Sequence, residues 1–155
     1  MKRLTVQVRP VYMALATVAL VAGCAHSSRV EYYTLSTVSP PSEQSPSDVV
    51  VGVGPIAVPA YLRQSAMVTR IDSNTLYYND FRLWAEPLED AIPQIISTNL
   101  QSLLQTQRME LFPWRTSAGV THQLKAEVLA FELMPGGDAV LSLRWHLTDS
   151  AGNDL

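Results

Sequence analysis

The strongest periodic signal in the chain starts at Leu88: Ile92, Ile95, Ile96, Leu100, Leu103 and Leu104 follow it at offsets of 4, 7, 8, 12, 15 and 16. That is one apolar stripe at the helical period, and it predicts an amphipathic helix with its stripe in the core. Glu86, Glu89 and Asp90 sit near its start, where the helix dipole favours negative charge. Pro87 suits a first turn, whereas Pro93 does not suit an interior. The pattern therefore predicts either a kink at Pro93 or a helix that begins near Asp90 as N-cap, with Pro93 inside its first turn.

The remaining apolar positions read as strands. Val49 to Pro59 is a run of β-branched residues punctuated by Gly52, Gly54 and Pro55, a buried strand that bends at its glycines. Tyr32-Tyr33-Thr34-Leu35 predicts a short first strand. Met67 to Asp72 and Thr75 to Trp84 predict a hairpin turning at Ser73-Asn74. In its second arm, neither face is purely apolar, so one face is expected to meet a partner. Glu110 to Trp114 predicts a short strand. Gln123 to Leu133 and Ala139 to Thr148 predict a second hairpin across Pro135-Gly136-Gly137-Asp138, with Leu141, Leu143, Trp145 and Leu147 on one apolar face. Ser150 to Leu155 is turn chemistry with no returning strand, which predicts an unpaired edge and an uncovered sheet face. The pattern amounts to one domain that combines strands, mostly in antiparallel hairpins, with an amphipathic helix.

The N-terminus belongs to a different class. Lys2, Arg3 and Arg9 precede an apolar stretch from Val11 to Leu20, the layout of an export signal, and this stretch is too short for a membrane span, which needs about 20 residues. Leu20-Val21-Ala22-Gly23-Cys24 ends it, and Cys24 is the only cysteine of the 155 residues. Small residues at Ala22 and Gly23 fit a peptidase cleft, and the cysteine supplies a thiol. This is similar to the lipobox of bacterial lipoproteins, which implies cleavage before Cys24 and acylation of it. Each buried methylene adds about 0.8 kcal/mol, so several acyl chains hold a protein on a bilayer almost permanently.

Residues 1–23 then form the signal peptide, 24–48 a lipidated Ser/Pro-rich tether carrying the short first strand, and 49–155 the folded domain. A coil of about 20 residues spans roughly 25 Å, so the domain stays close to the membrane. The mature chain keeps eight basic against fourteen acidic residues, a formal −6, with no basic patch to displace counterions from nucleic acid. With Cys24 acylated no disulfide is available, and stability must come from apolar burial.

Chemistry is sparse. Gly52-Val53-Gly54-Pro55-Ile56-Ala57 mimics a dinucleotide fingerprint, but Pro55 lacks an amide for phosphate and no helix opens after it. His26, His122 and His146 are far apart and lack the spacing of a metal site. No serine sits in a nucleophile elbow. Glu86, Glu89 and Asp90 are explained by the helix start. The residues predict neither a catalytic centre, a cofactor nor a bound metal.

The lipobox, Tyr32-Tyr33-Thr34-Leu35, Val51-Gly52-Val53-Gly54-Pro55 running to Val58-Pro59-Ala60-Tyr61-Leu62, Val68-Thr69-Arg70, and Phe81-Arg82-Leu83-Trp84-Ala85-Glu86-Pro87-Leu88 together resemble the ABC-type transport auxiliary lipoproteins, the PqiC/YmbA family. The resemblance implies an α/β (α+β) fold, a single domain with a mixed, mostly antiparallel sheet, helices packed against it, and a C-terminal strand and helix missing from this chain. It also implies a non-catalytic subunit of an MCE-type phospholipid transport system. It implies acyl chains on Cys24 in the outer membrane, a domain on its periplasmic face, and a ring-like homo-oligomer docked on an MCE protein that works with an ABC transporter. Ala25 after the cysteine agrees with that address, since aspartate there is the familiar inner-membrane signal. Tyr61, Leu62, Arg82 and Trp84 match motif positions and are candidate partner contacts, with aromatic packing and a structural arginine bond as the competing explanation. The alternative function is an envelope scaffold that binds another transporter or the cell wall.

Overall fold

The structure is a computed structural model that describes residues 28–37 and 48–155. The export signal, Cys24 and most of the tether lie outside the described residues. The domain is a seven-stranded mixed sheet with one α-helix against it: β1 Glu31–Tyr33, β2 Val51–Ala57, β3 Ala66–Arg70, β4 Leu76–Trp84, α1 Leu88–Leu104, β5 Met109–Leu111, β6 His122–Leu133 and β7 Ala139–Asp149.

Two hairpins provide the long antiparallel ladders, β3–β4 and β6–β7. Between Arg70 and Leu76, the Asp72 carboxylate accepts the Asn74 amide, and Ile71 donates to the Thr75 carbonyl. The other four pairings, β1–β4, β2–β5, β2–β6 and β3–β6, are parallel and join segments distant in sequence. Strand β7 occupies one edge of β6 along its whole length. The opposite edge of β6 is therefore shared, with β2 on its first half and β3 meeting it only at Thr69 opposite Leu133.

Val51, Gly52, Val53 and Gly54 are all buried, so β2 is covered on both faces. Helix α1 packs on one. On the other, a Cβ at Gly52 would stand 2.9 Å from Trp114 and Val120, and one at Gly54 would stand 2.8 Å from Phe112. The two glycines thus make room for the segment after β5, and Gly54 also takes a φ of +115° that side chains avoid. That is what the fingerprint-like run is for.

Helix α1 begins at Leu88 with Pro87 as N-cap, so Asp90 is not the cap, and Pro93 stands within the helix. The Asp90 and Ala91 amides both donate to the Pro87 carbonyl, closing the first turn two residues ahead of Pro93. Pro93 costs the one bond that its missing amide would donate back toward Glu89. The apolar stripe is buried at Leu88 and Ile92 and half-buried at Ile95, Ile96, Leu100 and Leu104, but Leu103 is 43% exposed. The core joins Val58, Leu62, Val68, Leu88, Ile92 and Val128, flanked by Tyr61, Tyr78, Trp84 and Phe131.

Candidate functional site

Glu132 is the one buried charged side chain among the described residues, 3% exposed. Its position follows from β6: Phe131 turns into the core beside Trp84, and Glu132 meets side chains from β3 and from the turn after β2. Arg70 donates to both carboxylate oxygens, through Nε to Oε2 and through Nη2 to Oε1 at 2.6 Å. The Tyr61 hydroxyl donates to Oε1 at 2.8 Å. Arg70 is itself anchored to the hairpin turn through the carbonyls of Asp72 and Ser73.

The Arg70 bonds hold the Glu132 carboxyl below its usual range, although burial opposes them. Burial and the bond to Glu132 push the Tyr61 hydroxyl up to about 12. Neither group exchanges a proton near neutral pH, so the triad works as a clamp. It ties the turn after β2 and strand β3 to β6 where β3 and β6 share a single register position.

Beside the clamp lies a slot. Because β3 and β6 pair only at Thr69 and Leu133, they separate toward Met67 and Phe131, leaving a cavity of about 200 Å³. Trp84 and Phe131 form its wall with ring centroids 5.3 Å apart. Its rim is shaped by a wide irregularity in β4, where Met67 pairs Asn79 but the preceding Ala66 pairs Leu83. The intervening Asp80, Phe81 and Arg82 loop outward, and the Asn79 side-chain oxygen accepts the amides of Phe81 and Arg82. Strand β1 pairs along the far side of this lip, with Glu31 opposite Arg82 and Tyr33 opposite Trp84. The Tyr33 hydroxyl donates to Glu31 at 2.7 Å, which raises its pKa above the ordinary tyrosine value.

A third surface is the β6–β7 ribbon. Leu143 pairs with buried Val128 and Trp145 with Ala126, so the apolar face of β7 continues the core face of β6. It is nevertheless open: Leu141, Leu143 and Trp145 are exposed, Trp145 at 62%. The ribbon is therefore not packed on its apolar side among the described residues. Its outer edge is not wholly unpaired as the pattern predicts, because the turn at Asp149 brings the chain back: Asp154 bridges Thr148, and the Leu155 amide donates to the Leu147 carbonyl.

Among the described residues there is no group of three His, Cys, Asp or Glu side chains able to hold a metal, and no helix long and apolar enough to cross a membrane. His122 bonds to Thr121 at the start of β6, and His146 lies on the exposed ribbon.

The family model for the ABC-type transport auxiliary lipoprotein component matches residues 33–155. The chain belongs to that family. Its match begins at Tyr33 and takes in the clamp, the slot and the ribbon. The fold is also similar to two crystal structures. One is protein XCC0632 from Xanthomonas campestris, assigned to family DUF330, with TM-score 0.66 and 15% identity over 80% of this chain and 72% of that one. The other is an uncharacterized protein with TM-score 0.64 and 23% identity over 82% and 74% of the two chains. A comparison with curated proteins finds no match. An auxiliary lipoprotein of this family belongs to the transport machinery of the cell envelope and is held there by a lipid anchor.

Within the family domain, the four motif residues named from the sequence occupy different environments. Leu62 is a core residue at 2% exposure. Tyr61 is half-buried in the clamp, and Trp84 is half-buried against Phe131. Arg82 is exposed at the lip, and among the described residues its guanidinium takes part in no hydrogen bond or ion pair. Glu132 was not singled out from the sequence. The signal available was one carboxylate between Phe131 and Leu133, at the position that continues the apolar alternation Leu124, Ala126, Val128, Ala130.

Proposed function

We propose that this chain is a non-catalytic accessory subunit of an MCE-type phospholipid transport system. Acyl chains on Cys24 anchor it in the outer membrane, and the folded domain, as a ring of identical copies, docks onto the periplasmic end of an MCE conduit fed by an ABC transporter. The observation that carries this reading is the family match over residues 33–155, joined to the lipobox at Leu20 to Cys24. Acylation without a retention aspartate after Cys24 supports the outer-membrane address.

The domain's construction suits a docking part. The Arg70–Glu132–Tyr61 clamp stiffens the sheet, and the β4 lip presents Phe81 and Arg82 to solvent. Of the candidate contacts, Arg82 is the one with a side chain free to meet a partner directly. Tyr61, Leu62 and Trp84 act by holding the surface that carries it. Replacing Cys24 by Ala tests the anchor. The protein should leave the outer-membrane fraction of a Gram-negative host, and unchanged fractionation would count against the reading.

A further inference from the structure

The slot between β3 and β6 has chemistry of its own. Its lining is mostly apolar, from Met67, Val68, Trp84 and Phe131, and its volume of about 200 Å³ exceeds the roughly 150 Å³ of an apolar cavity that stays dry and takes up benzene. Of its two charged lining residues, Arg82 at the rim makes no side-chain hydrogen bond or ion pair among the described residues. Glu132 also lines the slot, but its carboxylate is held by Arg70 and Tyr61. Glu31, opposite Arg82, accepts the Tyr33 hydroxyl instead of bonding to the guanidinium. An apolar recess with an unpaired guanidinium at its mouth is complementary to one class of ligand, an alkyl chain ending in an anionic head.

We propose that this slot binds a segment of a single alkyl chain of an anionic amphiphile, with the carboxylate or phosphate head against Arg82. This assigns a ligand to the subunit itself. It goes beyond the docking role and does not depend on any transporter partner. Exposed Asp80 and Glu31 border the lip and favour a head with no more charge than Arg82 can offset.

The test uses the mature chain, residues 24–155, made without its export signal and so without acyl groups that would compete for the slot. Trp114→Phe and Trp145→Phe leave Trp84 as the only indole, and 11-bromoundecanoic acid serves as a quenching probe beside its methyl ester and inorganic phosphate. Saturable quenching is expected with the acid, about tenfold weaker with the ester, the worth of about one charge-assisted bond. Phosphate alone should compete weakly, because it lacks the chain.

Arg82→Gln should bring the acid down to the ester's affinity, and Glu31→Gln should tighten it. Ala139→Phe, at an exposed position of the rim, should abolish both. Absence of saturable quenching, equal binding of acid and ester, or indifference to Arg82→Gln would overturn the proposal. So would a slot that ignores amphiphiles yet becomes protected when a protein partner binds, which would make it a socket for a partner's side chain. None of these failures would affect the transporter association, which is measured separately.

Discussion

Arg70→Met removes one side of the clamp and leaves a carboxylate 3% exposed with a single neutral donor, Tyr61. Breaking a fully buried pair costs about 3–5 kcal/mol, mainly because the remaining charge is stranded. Arg70 is 31% exposed, so water reaches the vacated side and the expected loss is smaller, about 2–3 kcal/mol at neutral pH. Removing both charges with Arg70→Met and Glu132→Leu leaves no stranded ion. That double variant should recover most of the loss, to within about 1 kcal/mol of the parent.

The pH dependence fixes the sign. In the parent, the folded-state pKa of Glu132 is depressed, so its contribution is present above the unfolded value of about 4.3 and is lost as pH falls through the lower folded value. In Arg70→Met the largest depressing influence is gone and only the Tyr61 bond remains against the burial that raises the pKa, so the folded form gains more from protonation on acidification than the parent does. The gap between parent and variant should therefore narrow as pH falls toward about 4. Urea unfolding followed by tryptophan fluorescence gives each free energy from midpoint and slope. A loss below about 1 kcal/mol, a gap independent of pH, or a double variant as unstable as the single one would refute the clamp.

Three further outcomes follow from the same structure. Gly54→Ala places a Cβ 2.8 Å from Phe112 at a φ of +115°, and should cost about 1–3 kcal/mol in thermal unfolding; an unchanged midpoint would contradict the close packing on β2. Pro93→Ala restores an amide inside α1 and should raise stability by about 1 kcal/mol or more, whereas a fall would show that the ring is needed for packing. The Tyr61 pKa of about 12 means that its contribution is complete below the ordinary tyrosine value of 10 and is lost as pH rises through 12. In phenolate absorbance titrations, Tyr61→Phe should therefore delete a phenol that titrates near 12, and loss of one that titrates near 10 would contradict the placement.

What was legible in the sequence was local. The hairpins turn at Ser73-Asn74 and Pro135 to Asp138 because their residue types permit few other geometries there, and the stripe from Leu88 carries its own period. The four parallel pairings were not legible, since each joins strands through a crossover whose register depends on the packed whole. The same limit applies to the site. Arg70 and Tyr61 lie 62 and 71 positions from Glu132, so no spacing rule connects them. Arg82 could be named from a motif, but its freedom depends on a break in the β4 register that alternation alone does not reveal. Leu62 and Leu103 show the limit from the other side: motif membership does not reveal that Leu62 is core, and the period of the stripe does not reveal that Leu103 is exposed.

Membership of this domain in an MCE-type transporter is the proposal on which the rest depends. Its most direct test is affinity capture of the acylated, full-length protein from crosslinked Gram-negative envelopes, followed by identification of what comes with it. An MCE protein is expected together with its permease and ATPase, in amounts that fall when Arg82 is replaced by Glu. Recovery of the intact lipoprotein with cell-wall components or an unrelated transporter, and no MCE protein, would contradict it.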